Sequence, residues 1–227
     1  MKSFKIGVIS DSDSWINAYI PGFLEKLTQL GHDTYHAHTI DDIREGDFLF
    51  ILGCGKVIPK DTLLRNRHNL VVHESALPEG RGWSPLTWQI LAGQNAIPIT
   101  LFEAANDIDS GVIYLQSELT FKGTELVAEL RETQAEVCVN LCLEFVRTYP
   151  DILSEARAQA GQPSYYRRRY PKDSQLDPEK SIVAQFDLLR VVDNERYPAF
   201  FEFRGETYYL KIQKKGDATS LEQDADG

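Results

Sequence analysis

The amino-acid sequence predicts an α/β fold, in which a mostly parallel, Rossmann-like sheet is flanked by helices and followed by a small C-terminal β extension. Short apolar runs of strand length alternate with segments of helical periodicity through the first two thirds of the chain. The run FLFILG at 48–53 is continuously hydrophobic, as expected of a parallel strand that is buried on both faces. Because ligands of such sheets usually bind beyond the carboxyl ends of the strands, we expect the functional site there.

The first half of the chain contains four predicted strands and three predicted helices. Apolar residues between Trp15 and Leu30 recur at helical spacing, and Gly31 is a suitable C-cap for that helix. Pro59 is typical of the first turn of a short helix. The predicted strands span 4–10, 33–37, 48–53 and 69–75, and the predicted helices span 15–30, 59–64 and 85–91.

The second half begins with two further predicted strands, at 97–104 and 112–119, and a long helix at 124–149. Cys138 and Cys142 are four residues apart and would share one face of this helix, so we interpret them as small core residues. The segment FFEFRGETYYLKI near the C-terminus predicts a β-hairpin that turns at Arg204-Gly205.

Composition divides the chain into four predicted regions. Residues 1–150 form the main α/β domain, and 151–180 form a polar, proline-containing linker or strap that includes the run YYRRRY. Residues 181–213 form a small β-rich subdomain, and the acidic residues 214–227 form a disordered tail.

Charge and hydropathy limit the possible partners. The formal net charge is −10, which argues against a protein that holds tRNA or DNA by neutralising many phosphates, whereas a substrate with one or two phosphates is compatible. No apolar run approaches the roughly 18 residues that a membrane helix needs, and the N-terminus lacks the layout of a signal peptide. We therefore expect a cytoplasmic protein without membrane association.

Neither the cysteines nor the histidines predict a metal site. The three cysteines are odd in number and lack CxxC spacing, which argues against a disulfide framework or a zinc ribbon. His32, His36 and His38 form an HxxxHxH pattern, which we interpret as solvent-exposed histidines on an edge strand rather than as metal ligands.

Three segments together resemble the formyltransferase family. The segment NLVVHESALPEGRGWSP at 69–85 matches a strand that ends in histidine and is followed by Ser, Leu-Pro and Arg-Gly, with His73 as the histidine. The segment AANDIDSGVIYLQ at 104–116 is similar to the family's Asp-x-Gly, here Asp109 and Gly111, before a strand. The segment FLFILGCGKVIPKDTL at 48–63 resembles the family's strand and glycine loop that receive a pterin ring.

This resemblance implies an enzyme that moves a formyl group from N10-formyltetrahydrofolate to an amine, without a metal, and makes residues 1–150 its catalytic domain. Formyl transfer is acyl transfer, so the site must stabilise an oxyanion and move a proton between two nitrogens. Histidine suits proton transfer near neutral pH, and a carboxylate can orient its ring. His73 is therefore the candidate proton carrier and oxyanion partner, and Asp109 the candidate orienting group.

One position departs from the family pattern. The family carries an asparagine two residues before the histidine, and this chain has Val71 there. Asn69 lies on the same face of the predicted strand but about 7 Å further along than that position. Either Asn69 supplies the oxyanion donor through an irregularity such as a bulge, or a backbone N–H does, or the donor is missing.

The resemblance also suggests binding residues. The glycine loop GCGK lacks the GxxxxGK[ST] spacing of a phosphate loop, so its neighbourhood is expected to line the pterin. Candidate folate-binding residues are Cys54, Gly55, Val57, Ile58 and Asp107, and candidate acceptor-binding residues are Ser12, Trp15, Ser75, Trp83 and Arg168. Trp83 and Trp88 fit either stacking on a sugar or base, or a place in the core. The three arginines at 167–169 fit either a diphosphate site or a solvated strap.

The acceptor we expect is a nucleotide-linked amino sugar. The C-terminal region resembles the start of that region in sugar and tRNA formyltransferases, and a homodimer through the C-terminal hairpin is typical of the sugar class. Alternatives are a glycinamide ribonucleotide or methionyl-tRNA formyltransferase, a non-catalytic folate-binding module, or a hydrolase that releases formate.

Overall fold

Six strands form one mixed sheet in the computed structural model, which describes residues 2–105 and 107–215. The strands are β1 (Lys5–Ile9), β2 (Asp33–Ala37), β3 (Gly46–Ile51), β4 (Asn66–His73), β6 (Ala96–Glu103) and β7 (Ile113–Thr120). Their order is β2-β1-β3-β4-β6-β7. The first four are parallel, whereas β6 is antiparallel to β4 and to β7. The predicted α/β fold is confirmed.

Five α-helices accompany the sheet within the described residues: α1 (Ile20–Gln29), α2 (Lys60–Leu63), α3 (Pro85–Leu91), α4 (Val127–Thr148) and α5 (Phe186–Val191). The helix predicted at 15–30 is divided into a 3-10 turn, Trp15–Ala18, and α1, which carries a proline in its first turn. Since proline has no N–H to donate, it is better placed at the start of a helix than within one. Helix α4 begins three residues later than predicted, because the Glu125 carboxylate accepts the backbone N–H groups of residues 122–124 and holds them in a turn.

The main core lies between one face of the sheet and helices α1, α3 and α4. It contains Phe48, Phe50, Phe23 and Phe145, and also Cys138 and Cys142, which are buried as predicted. A smaller cluster that includes Leu49 and Ile58 covers part of the other face. The two packed faces explain the continuous hydrophobicity of β3, whose last four residues are all buried.

Strand β2 at the edge of the sheet corrects one prediction. His32, just before this strand, is buried at 7% exposure, and its Nδ1 accepts the backbone N–H of Phe4. His36 pairs with Ser10 Oγ, and of the three histidines only His38 is exposed. The expectation of three solvent-exposed histidines is therefore wrong. In the described part of the chain, no group of three or more His, Cys, Asp or Glu side chains is arranged to hold a metal ion.

The predicted strap runs across the main domain and adds a short strand to it. Strand β8 (Tyr165–Tyr166) pairs in parallel with β5 (Arg81–Gly82), in the loop that follows β4. Arg157 forms an isolated bridge with Ile113 at the start of β7. The strap therefore reaches the loops that the sequence motifs single out, although the domain boundaries themselves stay predictions.

The C-terminal region ends in the predicted hairpin. Strands β9 (Ala199–Phe203) and β10 (Glu206–Leu210) pair antiparallel. Arg204 and Gly205 occupy the turn with positive φ angles of 51° and 87°, as a two-residue type I′ turn requires. Of the predicted disordered tail, 214–227, the part from residue 216 onward lies outside the described residues. Its predicted start is wrong, because Lys214 bonds the Glu129 carboxylate of α4. No described helix is both long enough and apolar enough to span a bilayer.

Arg190 of α5 ties the C-terminal region to the main domain. Its guanidinium is fully buried and contacts Glu125 Oε2 at 3.3 Å, Asp187 Oδ1 at 2.9 Å and Asn95 Oδ1 at 2.9 Å. A buried guanidinium is tolerated only when its donors are satisfied, and here two carboxylates and an amide oxygen satisfy them.

We expect Arg190→Ala to lower the free energy of unfolding by about 3 kcal/mol, because it leaves a largely buried carboxylate without its cation. The matched control is Arg67→Ala, which removes an exposed ion pair at 3.7 Å from Asp47 and should cost less than about 1 kcal/mol. Urea unfolding measures both values. Equal losses in the two variants would contradict this role for Arg190.

Candidate functional site

A cleft of about 520 Å³ opens at the carboxyl ends of β1, β3 and β4. The loop after β1 lines one side, the loop after β3 lines another, and His73 and Glu74 lie where β4 ends. The strand order reverses between β1 and β3, which is where sheets of this kind bind ligands. The volume falls within the range of about 300–1,000 Å³ that is usual for small-molecule sites.

His73 has one ring nitrogen committed and one free. Its Nε2 lies 2.8 Å from the carbonyl oxygen of Gly80 and 3.8 Å from Asp109 Oδ2. A carbonyl oxygen can only accept, so Nε2 carries the hydrogen and the neutral ring has its lone pair on Nδ1. Within the described residues Nδ1 has no hydrogen-bond partner. His73 lines the cleft, and Nδ1 is the ring nitrogen that its contacts leave unbonded among the described residues.

Asp109 is held by the loop that follows β4. Its Oδ2 accepts the backbone N–H of Gly82 at 2.8 Å, and its backbone adopts a positive φ of 51°. Gln159 of the strap donates its side-chain amide to the carbonyl oxygens of Asp109 at 2.8 Å and Gly111 at 2.9 Å. The carboxylate therefore has a fixed position near the imidazole, with its Oδ2 3.8 Å from His73 Nε2.

The glycine loop after β3 forms one edge of the cleft. The backbone N–H of Gly55 donates to Asp11 Oδ2 at 2.8 Å, which ties this loop to the loop after β1. Gly53 has a positive φ of 58°, and a Cβ there would lie only 2.4 Å from Ser14 Oγ. Burial raises the pKa of the Cys54 thiol, so the side chain is a neutral lining group.

Ten of the thirteen candidate site residues line this one cleft. They come from six separate segments of the chain, which the fold brings together. These residues are Trp15, Cys54, Gly55, Val57, Ile58, His73, Trp83, Asp107, Asp109 and Arg168.

Asn69 does not reach the cleft. Its side-chain amide donates to the carbonyl oxygen of Leu63 at 3.0 Å, on the α2 side of the sheet. Strands β3 and β4 pair in regular register through residues 68–71, so no bulge carries Asn69 toward His73. The expectation that Asn69 supplies the oxyanion donor is therefore wrong for this structure, and Val71 lines the cleft instead.

Ser12 and Ser75 also lie outside the cleft. Ser75 is buried at 2% exposure beside a second, smaller cavity that Gln89 and Tyr166 help to line. Ser12 is exposed, and it does not line the cleft although its neighbours Asp11 and Asp13 do. This geometry does not support the prediction that either serine contacts the acceptor directly.

Only one of the three strap arginines faces the cleft. The Arg168 guanidinium lies 4.8 Å from the centre of the Trp83 ring. Arg167 instead bonds both oxygens of Asp173 and lowers the pKa of that carboxyl to about 2. Arg169 turns inward and contacts Ser174 Oγ.

Likewise, only one of the two candidate tryptophans lines the cleft. Trp83 lines the cleft and is partly exposed, whereas Trp88 lies outside it. The indole N–H of Trp88 donates to the carbonyl oxygen of Arg167, and its ring stacks on Tyr166. Of the two candidates, only Trp83 is available for stacking on a ligand in this cleft.

Four residues of the site were missed at the sequence level. Glu74, Gln134 and Arg196 line the cleft, and Gln159 holds the Asp109 loop. Arg196 bonds the Asp13 carboxylate across 183 residues of sequence. Only Glu74 carried a signal, because it is a charged residue directly after the strand that ends in His73; the others lie in segments with no motif.

Comparison with known proteins identifies the family of this chain. A family model described as Formyl transferase matches residues 8–146. The methionyl-tRNA formyltransferase of Thermodesulfovibrio yellowstonii is 25% identical over 145 residues, which cover 63% of this chain and 47% of that protein. The chain thus spans about half the length of this curated relative.

Solved structures share the fold at low sequence identity. Methionyl-tRNA formyltransferase from Clostridium thermocellum superposes with a TM-score of 0.75 at 20% identity, over 93% of this chain and 94% of that one. A sugar N-formyltransferase from a Shewanella species gives 0.64 at 14% identity, over 93% and 98%. HypX from Aquifex aeolicus in complex with tetrahydrofolic acid gives 0.74 at 16% identity, over 92% and 37%.

We expect Gly111→Ala to destabilise the protein by about 1–3 kcal/mol or more, because a Cβ there would lie 1.7 Å from the carbonyl oxygen of Glu103 and the backbone would have to move. The control is Gly22→Ala in α1, where a Cβ meets nothing within 4 Å. This substitution should stabilise the protein by about 0.5–1 kcal/mol, because alanine favours a helix more than glycine does. Urea unfolding again provides the comparison. Wild-type stability in Gly111→Ala would mean that the Asp109 loop is not held closely against β6.

Proposed function

The chain belongs to the formyl transferase family, and from that premise we propose that it moves a formyl group from N10-formyltetrahydrofolate to the amine of a nucleotide-linked amino sugar. The observation that carries the proposal is the state of His73. Its Nε2 is held by Gly80 O, Asp109 lies 3.8 Å away, and its Nδ1 is available at the cleft.

His73 acts in this proposal as the proton carrier between two nitrogens. Its Nδ1 accepts a proton from the attacking amine nitrogen and returns a proton to the leaving N10 nitrogen. While the ring carries the extra proton, Asp109 and the Gly80 carbonyl oxygen stabilise the positive charge through its other nitrogen. Val71 offers no hydrogen-bond donor, so oxyanion stabilisation rests on His73 and on backbone N–H groups.

The folate side of the cleft has the chemistry that a pterin ring needs. Apolar side chains, among them Ile58, Val71 and Phe102, line a wall beside the glycine loop. Cys54 leaves its backbone groups accessible for hydrogen bonds and Gly55 leaves its carbonyl oxygen, because neither side chain is large, whereas the Gly55 N–H is already bonded to Asp11. Further support is the shared fold of HypX, which was solved with tetrahydrofolic acid.

The acceptor side of the cleft favours a sugar that carries a diphosphate. Arg168 offers a guanidinium group of the kind that binds phosphate oxygens, and Trp15 and Trp83 offer aromatic faces. A net charge of −10 opposes the binding of a long polyanion such as tRNA. A cytoplasmic location belongs to the same proposal, as does a homodimer through the C-terminal hairpin, whose Tyr209 is 70% exposed.

Formylation of methionyl-tRNA is the second candidate function. The curated relatives with that name support it, as does the similar fold and chain length of the Clostridium thermocellum protein. A non-catalytic folate-binding module and a formyl hydrolase are two further alternatives, since Val71 removes a donor that the family usually has.

One assay separates these functions. Tetrahydrofolate release from N10-formyltetrahydrofolate is measured with no acceptor, with methionyl-tRNA, and with UDP-, GDP- and dTDP-linked amino sugars. We expect release only with an amino sugar. Transfer should fall by about 100- to 10,000-fold in His73→Asn, which removes the proton carrier, and in Asp109→Asn, which removes the carboxylate that orients this carrier and stabilises its charge. Asp33→Asn, an exposed carboxyl at the start of β2, should be unaffected.

Each other outcome of this assay points to one alternative. Release without an amine indicates a hydrolase, and release with methionyl-tRNA alone indicates the tRNA function. Folate binding without release under any condition indicates a binding module. Wild-type rates in the His73 or Asp109 variant would remove the catalytic assignment.

The strap arginines offer a matched test of acceptor binding. We expect Arg168→Ala to raise the KM for the nucleotide sugar by about 10- to 100-fold with little change in kcat, since it removes a charge-assisted bond to phosphate. Arg167→Ala is the control, because that side chain is engaged by Asp173 outside the cleft. Equal effects of both variants, or a KM effect that persists with a free amino sugar, would contradict a phosphate contact at Arg168.

A further inference from the structure

Glu74 enters the cleft from the opposite side of the sheet from Val71. Side chains alternate along a strand, and Val71 packs in the small cluster with Phe102 while Val72 packs against the main core beside α4. Glu74 follows the same face as Val72. Its Oε1 accepts the side-chain amide of Gln134 on α4 at 2.6 Å, and its backbone carbonyl accepts Gln89 Nε2 at 2.6 Å.

The carboxyl group of Glu74 sits in surroundings that disfavour its charge. Burial raises its pKa, the negative charge of Asp109 raises it further, and His73 and Gln134 oppose these effects. The other ionisable groups that line the cleft are Cys138 of α4, the carboxyls of Asp11, Asp13 and Asp107, the thiol of Cys54, and the cations Lys56, Arg168 and Arg196. A carboxylate with a raised pKa is a stronger base than an ordinary one.

Formyl transfer to an amine has to remove two protons from the same nitrogen. Aliphatic amines titrate between about pH 8 and 10, so the acceptor arrives mostly as an ammonium ion, which has no lone pair for attack. One proton must leave before the C–N bond forms. The second leaves afterwards and passes to the folate N10. His73 serves the second transfer, and the proposed function leaves the first without a base.

We propose that Glu74 binds the ammonium group of the acceptor and takes the first of these two protons. The inference rests on the proposed formyl transfer and adds the residue that recognises and activates the acceptor. The balance is complete: the ammonium proton moves to the Glu74 carboxylate and then to solvent, the acceptor nitrogen bonds the formyl carbon, and the bond from that carbon to N10 breaks. The second proton moves from the acceptor nitrogen through His73 to N10.

Gln134 orients the Glu74 carboxylate for this task. An amide N–H can only donate, so its bond to Oε1 leaves Oε2 for the ammonium group. Gln134 is therefore a positioning residue, and it lines the cleft beside Glu74. The pair lies on the α4 face with Trp15, on the side of the cleft that the acceptor is proposed to use.

The test is the pH profile of transfer to the amino sugar that the wild-type protein formylates. The Glu74→Gln variant keeps the shape of the side chain but cannot accept a proton. At pH 7 we expect it to transfer about 100-fold more slowly than wild type, with a raised KM for the acceptor. At pH 9.5, where far more of the amine is neutral, the difference should shrink to about tenfold or less.

Two comparison variants complete the experiment. Glu74→Asp keeps the base and should retain a wild-type-shaped profile, with transfer falling as the pH drops and the carboxylate is protonated. Glu79→Gln makes the same substitution at an exposed position in the same loop and should match wild type.

The outcomes distinguish this inference from the function on which it rests. A wild-type rate in Glu74→Gln at pH 7 overturns it, and so does a loss by the same factor at every pH, which a purely structural role would give. Both results leave formyl transfer by the wild-type protein intact. Absence of transfer by the wild-type protein to every amine overturns the proposed function and this inference together.

Discussion

The hydrogen bond from His73 Nε2 to the Gly80 carbonyl oxygen is the constraint on which the rest of the site depends. It commits one ring nitrogen and so determines that the other carries the lone pair at the cleft. Gly80 can accept this bond only while its loop stays folded against the end of β4. Pairing of β5 with β8 holds that loop, and the Gly82 N–H holds Asp109 in turn. The tautomer of one imidazole therefore depends on a strap whose Ser164 bonds Gly80 across 84 residues of sequence.

Much of the fold follows from local patterns, because buried strands and amphipathic helices each leave a period in the sequence. The carboxyl ends of parallel strands meet at one edge, which is why the sequence alone predicts that residues after three strands share one cleft. The same reasoning failed for Asn69 and Ser75. Closeness to His73 in sequence does not determine whether a side chain points into the cleft, toward α2 or into a second cavity.

Residues that no motif includes were missed for a different reason. Gln134 acts on Glu74 across 60 residues, and Gln159 acts on Asp109 across 50. Glutamine on a helix or in a polar strap is ordinary in composition, so nothing in the local sequence marks these two. Their roles arise only when the long helix and the strap pack on the sheet. Such tertiary contacts leave no periodic pattern in a single sequence.

The placement of Glu74 gives a stability argument that agrees with its proposed role. A carboxyl whose pKa is raised by folding binds its proton more tightly in the folded state than in the unfolded chain. The folded state is therefore favoured at pH values below the ordinary pKa of glutamic acid, and that advantage is lost as the pH rises through the raised pKa. Above the raised pKa the charged form weakens the fold, a cost that an amide of the same shape would avoid. Strained or destabilising groups of this kind concentrate at functional sites. An ionisable side chain at position 74, beside the cleft and directly after His73 in the chain, is thus better explained by proton transfer than by its contribution to folding.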